Sequence, residues 1–159
     1  MSDLDFETAV EIIRISAGGE DDARLTQGEA ASLINRQWGD LKRAAIESHV
    51  EYKSLAERRR IVEFYGASSA GQTIGIGQSF ARRLLDDNPT LRWTHLRVAK
   101  GLGDFEEAYE ALEQAAESGM TPQEFKRWVA LKRRANGHVP RRHVFDLRAG
   151  WKAVIWKPE

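Results

Sequence analysis

The sequence predicts a mainly α protein, a multi-helix bundle with a helix-turn-helix expected among its helices and a short C-terminal β-hairpin. Three observations carry this. Apolar residues recur at three- and four-residue spacing through most of the chain, the mark of helices with one buried face. Three segments open with the Ser/Thr-x-x-Glu pattern of a capping box, whose side chains satisfy the free N–H groups of a helix start. Only the last twenty residues change to a β-branched and aromatic pattern around a glycine-containing turn. The 159 residues therefore divide into a helical domain, 1–140, and a hairpin extension, 141–159.

In the first segment Phe6, Ala9, Val10, Ile13 and Ala17 fall on one helical face, and Gly18-Gly19 ends it. Glu20-Asp21-Asp22 reads as an exposed loop. Thr26-Gln-Gly-Glu29 is the first capping box and opens a short helix with Ala30, Leu33 and Ile34 inward. Gly39-Asp40 breaks the chain before a longer helix with Leu41, Ala45, His49 and Tyr52 on one side, which places His49 in the core. Ser54-Leu-Ala-Glu57, the second box, opens a helix that buries Ile61, Val62 and Tyr65.

Gly66 to Gly77 is the least regular stretch, with four glycines, two serines and one threonine. Closely spaced glycines can turn backbone amides toward an anion. Here no Lys-Ser or Lys-Thr pair follows Gly77 and no apolar strand precedes Gly71, so neither nucleotide-loop fingerprint is met. The stretch reads as a helix connection. Farther on, Phe105, Ala108, Tyr109, Leu112, Ala115 and Ala116 make the cleanest amphipathic face in the chain. Asp104, Glu106 and Glu107 complement the N-terminal dipole of that helix, and Gly119 stops it. Thr121-Pro-Gln-Glu124 is the third box, with proline where the missing N–H costs nothing. Roughly eight helices result.

The hairpin is expected from Arg142 to Arg148, a turn at Ala149-Gly150, and Trp151 to Trp156. An isolated two-stranded hairpin is marginal in water. Phe145, Trp151 and Trp156 therefore need a covering surface, either the helical body or a second copy of the chain, and a homodimer is expected.

Composition narrows the function classes. Hydrophobic residues make up 42% and charged residues 30%, as in ordinary soluble proteins. The absence of cysteine removes disulfides, thiolate catalysis and Cys-ligated metal sites. An acidic start and no long apolar run predict a cytoplasmic protein without a membrane partner. His49, His95, His138 and His143 lie at no metal-ligand spacing, and no nucleophile elbow occurs. No catalytic constellation emerges, and neither enzyme activity, cofactor nor metal is expected.

Charge does point somewhere. Lys plus Arg and Asp plus Glu both number 24, yet residues 1–33 sum to −6, residues 34–121 to −1 and residues 122–159 to +7. A basic chain end marks a candidate polyanion contact. Cationic and short polar side chains gather in three places. Arg58, Arg59 and Arg60 lie along one helix. Gln72, Thr73, Gln78, Ser79, Arg82 and Arg83 straddle the glycine-rich stretch and the helix after it. Lys126, Arg127, Lys132, Arg133, Arg134, Arg141 and Arg142 run toward the hairpin. Lys and Arg neutralise phosphates, while Gln, Ser, Thr and Arg reach base edges from a helix start. The expected mechanism is phosphate anchoring by Lys132, Arg133, Arg134, Arg141 and Arg142. Base reading falls to Gln72, Thr73, Gln78, Ser79, Arg82 and Arg83. The alternative is a phage-type protein-interaction module docking on a host enzyme through its Trp-rich hairpin, since aromatic residues favour interface cores.

A motif series supports the first reading. Trp93, His95 and Arg97 sit on one predicted helix; an acidic turn and Ala/Glu-rich helix follow from Asp104 to Ala116; Gly119-Met120-Thr121 then steps into another helix. This run, from Thr90 to Phe125, resembles the region after the helix-turn-helix in ParB/KorB-like DNA-binding proteins and covers about a quarter of the chain. The resemblance implies a DNA-binding helical domain of plasmid or phage type, acting in partition, replication control or transcription. It does not extend to the family's nucleotide-binding domain, whose arginine-rich motif has no counterpart here.

Overall fold

The computed structural model describes residues 4–16, 20–69 and 72–135. Among these lie eight helices: α1 (Phe6–Ile15), α2 (Asp21–Gln37), α3 (Leu41–Ser48), α4 (Tyr52–Tyr65), α5 (Phe80–Asp87), α6 (Trp93–Lys100), α7 (Phe105–Ser118) and α8 (Pro122–Ala135). No strand occurs among the described residues, only an isolated antiparallel bridge between Ala67 and Ser79. The mainly helical expectation holds. The expected hairpin, with Phe145, Trp151 and Trp156, lies outside the described residues, as do Arg141 and Arg142.

The α2–α4 pair is the spine. Gly28 sits where these helices cross, and a Cβ there would stand 2.6 Å from the Arg58 carbonyl oxygen and 2.6 Å from Val62 Cγ2. Only glycine permits so close an approach. On one side of the spine, Phe6, Val10, Ile13, Ile34, Leu41 and Leu55 form an apolar cluster from α1 to α4. On the other, Leu25, Val62, Tyr65, Leu96, Leu112 and Phe125 join α2 and α4 to the C-terminal helices. The Tyr65 hydroxyl donates to the Leu96 carbonyl at 2.6 Å, and burial pushes its pKa up.

Three sequence expectations need correction. First, α2 starts at Asp21, so Asp21 and Asp22 form its first turn instead of a loop. Acids suit that position because they face the positive end of the helix dipole. Thr26-Gln-Gly-Glu29 is thereby interior to α2, and its side chains are free to serve other elements. Second, the expected longer helix after Asp40 is two helices. His49 is exposed, with φ +62° in the left-handed region, and the Val50 N–H closes on the Ala45 carbonyl at 3.2 Å. It ends a helix and is not a core residue. Third, α4 opens at Tyr52, before Ser54, whose hydroxyl donates to the Glu51 carboxylate at 3.3 Å. The third box forms as expected: Glu124 N–H bonds Thr121 Oγ1 at 3.1 Å, and Thr121 N–H bonds Glu124 Oε1 at 2.9 Å.

Candidate nucleic-acid interface

The helix after the glycine-rich stretch is α5, capped by Ser79, whose Oγ accepts from the Arg82 N–H at 3.1 Å. The start of α5 is turned into the protein. Glu29, fully buried in the middle of α2, accepts from Ser79 Oγ (2.6 Å), the Gly77 N–H (2.8 Å), and Arg82 Nη2 (2.9 Å) and Nε (3.0 Å). Arg82 also reaches Asp22 at 2.6 Å and Thr26 at 2.9 Å. Glu29 and Asp22 hold its guanidinium further above its already high range. Ser79 and Arg82 are thus fully engaged inside the fold. On the outer face of α5, Arg83 lies 3.6 Å from Asp87, with Asp86 exposed beside them. That face carries more acid than base, which suits a phosphate backbone poorly. Gln72, Thr73 and Gln78 are exposed on the loop before it. A short helix–turn–helix unit is absent between α4 and α5, because residues 66–79 separate them.

Arg58, Arg59 and Arg60 also divide. Arg58 donates to the buried Gln27 amide, and Arg59 pairs with Glu63 at 2.8 Å. Burial, with Arg24 nearby, lowers the Arg58 pKa. Only Arg60 is exposed.

The third cluster behaves differently. Phe125 and Val129 are the buried residues of α8, while Lys126, Arg127, Arg133 and Arg134 are exposed. Lys126 and Arg134 stand eight residues apart, so the basic stripe runs about 12 Å along the helix. Lys132 lies over the Trp128 ring at 5.4 Å. The stripe is placed by α6, against which α8 packs. His95, fully buried on α6, accepts the Arg92 N–H at Nδ1 (2.9 Å), so Nε2 carries the hydrogen and donates to the Met120 carbonyl at 2.9 Å. One imidazole thereby ties the start of α6 to the step into α8, and its ring packs against Phe125.

This contact brings the last turn of α6 beside α8. A Cβ on Gly101 would lie 3.9 Å from Arg133 Nη1; Lys100 stands over the Phe64 ring of α4 at 5.8 Å. Arg97 and Lys100 occupy that last turn, where cations complement the dipole. Neither is among the interface residues expected from the sequence, although their place at a helix end was a usable signal. Among the described residues, none of Arg97, Lys100, Lys126, Arg127, Lys132, Arg133 and Arg134 has a carboxylate partner. By contrast, Arg14, Arg24, Arg43, Arg59, Arg82, Arg83 and Arg92 are all ion-paired.

No group of three or more potential ligands among the described residues could hold a metal ion, and no helix there is long and apolar enough to cross a membrane. Comparison with family models, with curated proteins and with solved structures returned no match.

Proposed function

We propose that the protein binds duplex DNA through the exposed basic face of α8 and the last turn of α6, by neutralising backbone phosphates. The observation that carries this reading is the set of cations from Arg97 to Arg134 without carboxylate partners among the described residues, where most of the other arginines are ion-paired. An unpaired cationic stripe on a rigid helix is what phosphate contact requires. The +7 charge of residues 122–159 and the ParB/KorB-like run from Thr90 to Phe125 support the same reading, with a plasmid or phage setting in partition, replication control or transcription. Arg141 and Arg142 would extend the phosphate contacts. Base reading from α5 is not part of the proposal, because Ser79 and Arg82 serve Glu29 instead.

The test compares full-length protein with an Arg133→Ala/Arg134→Ala variant by fluorescence anisotropy on duplexes of several sequences. The variant should weaken binding to all of them alike and lower the salt slope by about 1 per lost contact. Unchanged binding by a correctly folded variant would remove these residues from the interface.

A further inference from the structure

A cleft of about 560 Å³ lies between the C-terminal half of α2 and the loop before α5. Its volume falls in the range of specific ligand sites. Leu4, Leu33, Ile74 and Ile76 supply apolar lining, Arg36 and Thr73 supply polar lining, and no Asp or Glu among the described residues lines it.

The loop wall has an unusual backbone. The N–H groups of Thr73, Ile74, Gly75 and Ile76 find no acceptor among the described residues, although Ile74 is a buried residue. Buried main-chain donors are nearly always paired, which singles out Ile74; Thr73 is exposed and Gly75 and Ile76 are half-buried, so the four N–H groups together leave an edge open to an added chain. That edge is held firmly. Gln78 N–H closes a turn on the Gly75 carbonyl at 3.0 Å, with Gly77 at φ +82°, a value that the third residue of a type II turn requires. Glu29 fixes the far end of the turn through the Gly77 N–H. Arg36 steadies the near end, donating to the Ile74 carbonyl at 3.3 Å. The remaining donors of Arg36 have no carboxylate among the described residues.

From this geometry we infer that the cleft docks an extended, acidic peptide segment of a partner protein. In such a complex the partner adds a strand to the 73–76 edge, sets apolar side chains on Leu33, Ile74 and Ile76, and places a carboxylate on Arg36. Alternate groups of a strand face one neighbour, so two of the four N–H groups would donate to the added chain. Main-chain pairing with side-chain pockets is the known physics of strand addition. Charge selects the partner, because Arg36 is the one ionic group in the lining among the described residues. The inference is independent of DNA binding.

The test is amide NMR of the full-length protein, titrated with an acetylated Val-Glu-Val-Glu-Val peptide and with its lysine counterpart. A saturable downfield shift should appear at two or more amides between Thr73 and Ile76. Binding should be about five-fold weaker for the lysine peptide, and for the glutamate peptide with Arg36→Ala, the factor expected of one exposed charge contact. Arg36 is exposed, so this substitution spares the core. Absence of a saturable shift, or equal binding of both peptides, overturns the proposal. It is also overturned if these amides resist hydrogen exchange in the free protein, since the chain itself or a second copy would then fill the cleft.

Discussion

Replacing Glu29 with alanine should cost more stability than any single change on the basic face of α8. Glu29 is fully buried and accepts bonds from Gly77, Ser79 and Arg82. Its loss strands the Ser79 hydroxyl, which is buried, and leaves the Arg82 guanidinium, 18% exposed, with only Asp22 and Thr26. Breaking one side of a buried ion pair costs about 3–5 kcal/mol, because the surviving charge stays desolvated. That is a large part of the stability of a domain of this size, typically about 5–15 kcal/mol. Arg82→Met should cost a similar amount by stranding Glu29. Together the two changes remove both charges, and their combined cost should fall short of the sum by about 2 kcal/mol. Urea unfolding, followed through the intrinsic tryptophans, measures all three variants. Single costs below about 1 kcal/mol, or strict additivity, would show that Glu29 and Arg82 do not act as a buried pair.

Other consequences follow from the spine and the caps. Gly28→Ala should destabilise by about 1–3 kcal/mol despite alanine's better helix propensity, since its Cβ meets the Arg58 carbonyl; a stabilised variant would contradict the crossing geometry. His95→Leu keeps the bulk but leaves the Arg92 N–H and Met120 carbonyl without their partner. It should lose about 2–4 kcal/mol by urea unfolding, and a loss under about 1 kcal/mol would show that these bonds contribute little. Asp5 caps α1 by accepting the Thr8 N–H at 2.8 Å, which holds its pKa below the ordinary 3.8. The capping contribution is therefore present above the ordinary value and lost as pH falls through the lowered one. The stability gap between wild type and Asp5→Ala should close in acid; a gap independent of pH would contradict the cap.

Much of the helical architecture was legible in the sequence because its signals are local. The apolar spacing of α1 and α7 and the Thr121–Glu124 box depend on neighbours within two turns. What escaped the sequence is non-local. Thr26 and Glu29 have the spacing of a capping box, yet their side chains are claimed by Arg82, Ser79 and Gly77, about fifty residues on. Arg82 has the composition of a base-reading residue, but its buried partner lies on another helix. His49 matches an apolar spacing only if the helix continues through it, and a left-handed residue stops that. The cations of α8 were legible, whereas the approach of Arg133 to Gly101 at the end of α6 needed the His95 contact that packs α6 against α8.

Phosphate neutralisation by α6 and α8 has a direct thermodynamic signature in the salt dependence of binding. Affinity of the full-length protein for a random-sequence duplex is recorded from 50 to 200 mM salt. With about five of the seven cations in contact, the slope of log K against log salt should be roughly −4 to −5. A slope near zero, or no binding at 50 mM salt, would rule out phosphate contact by these cations.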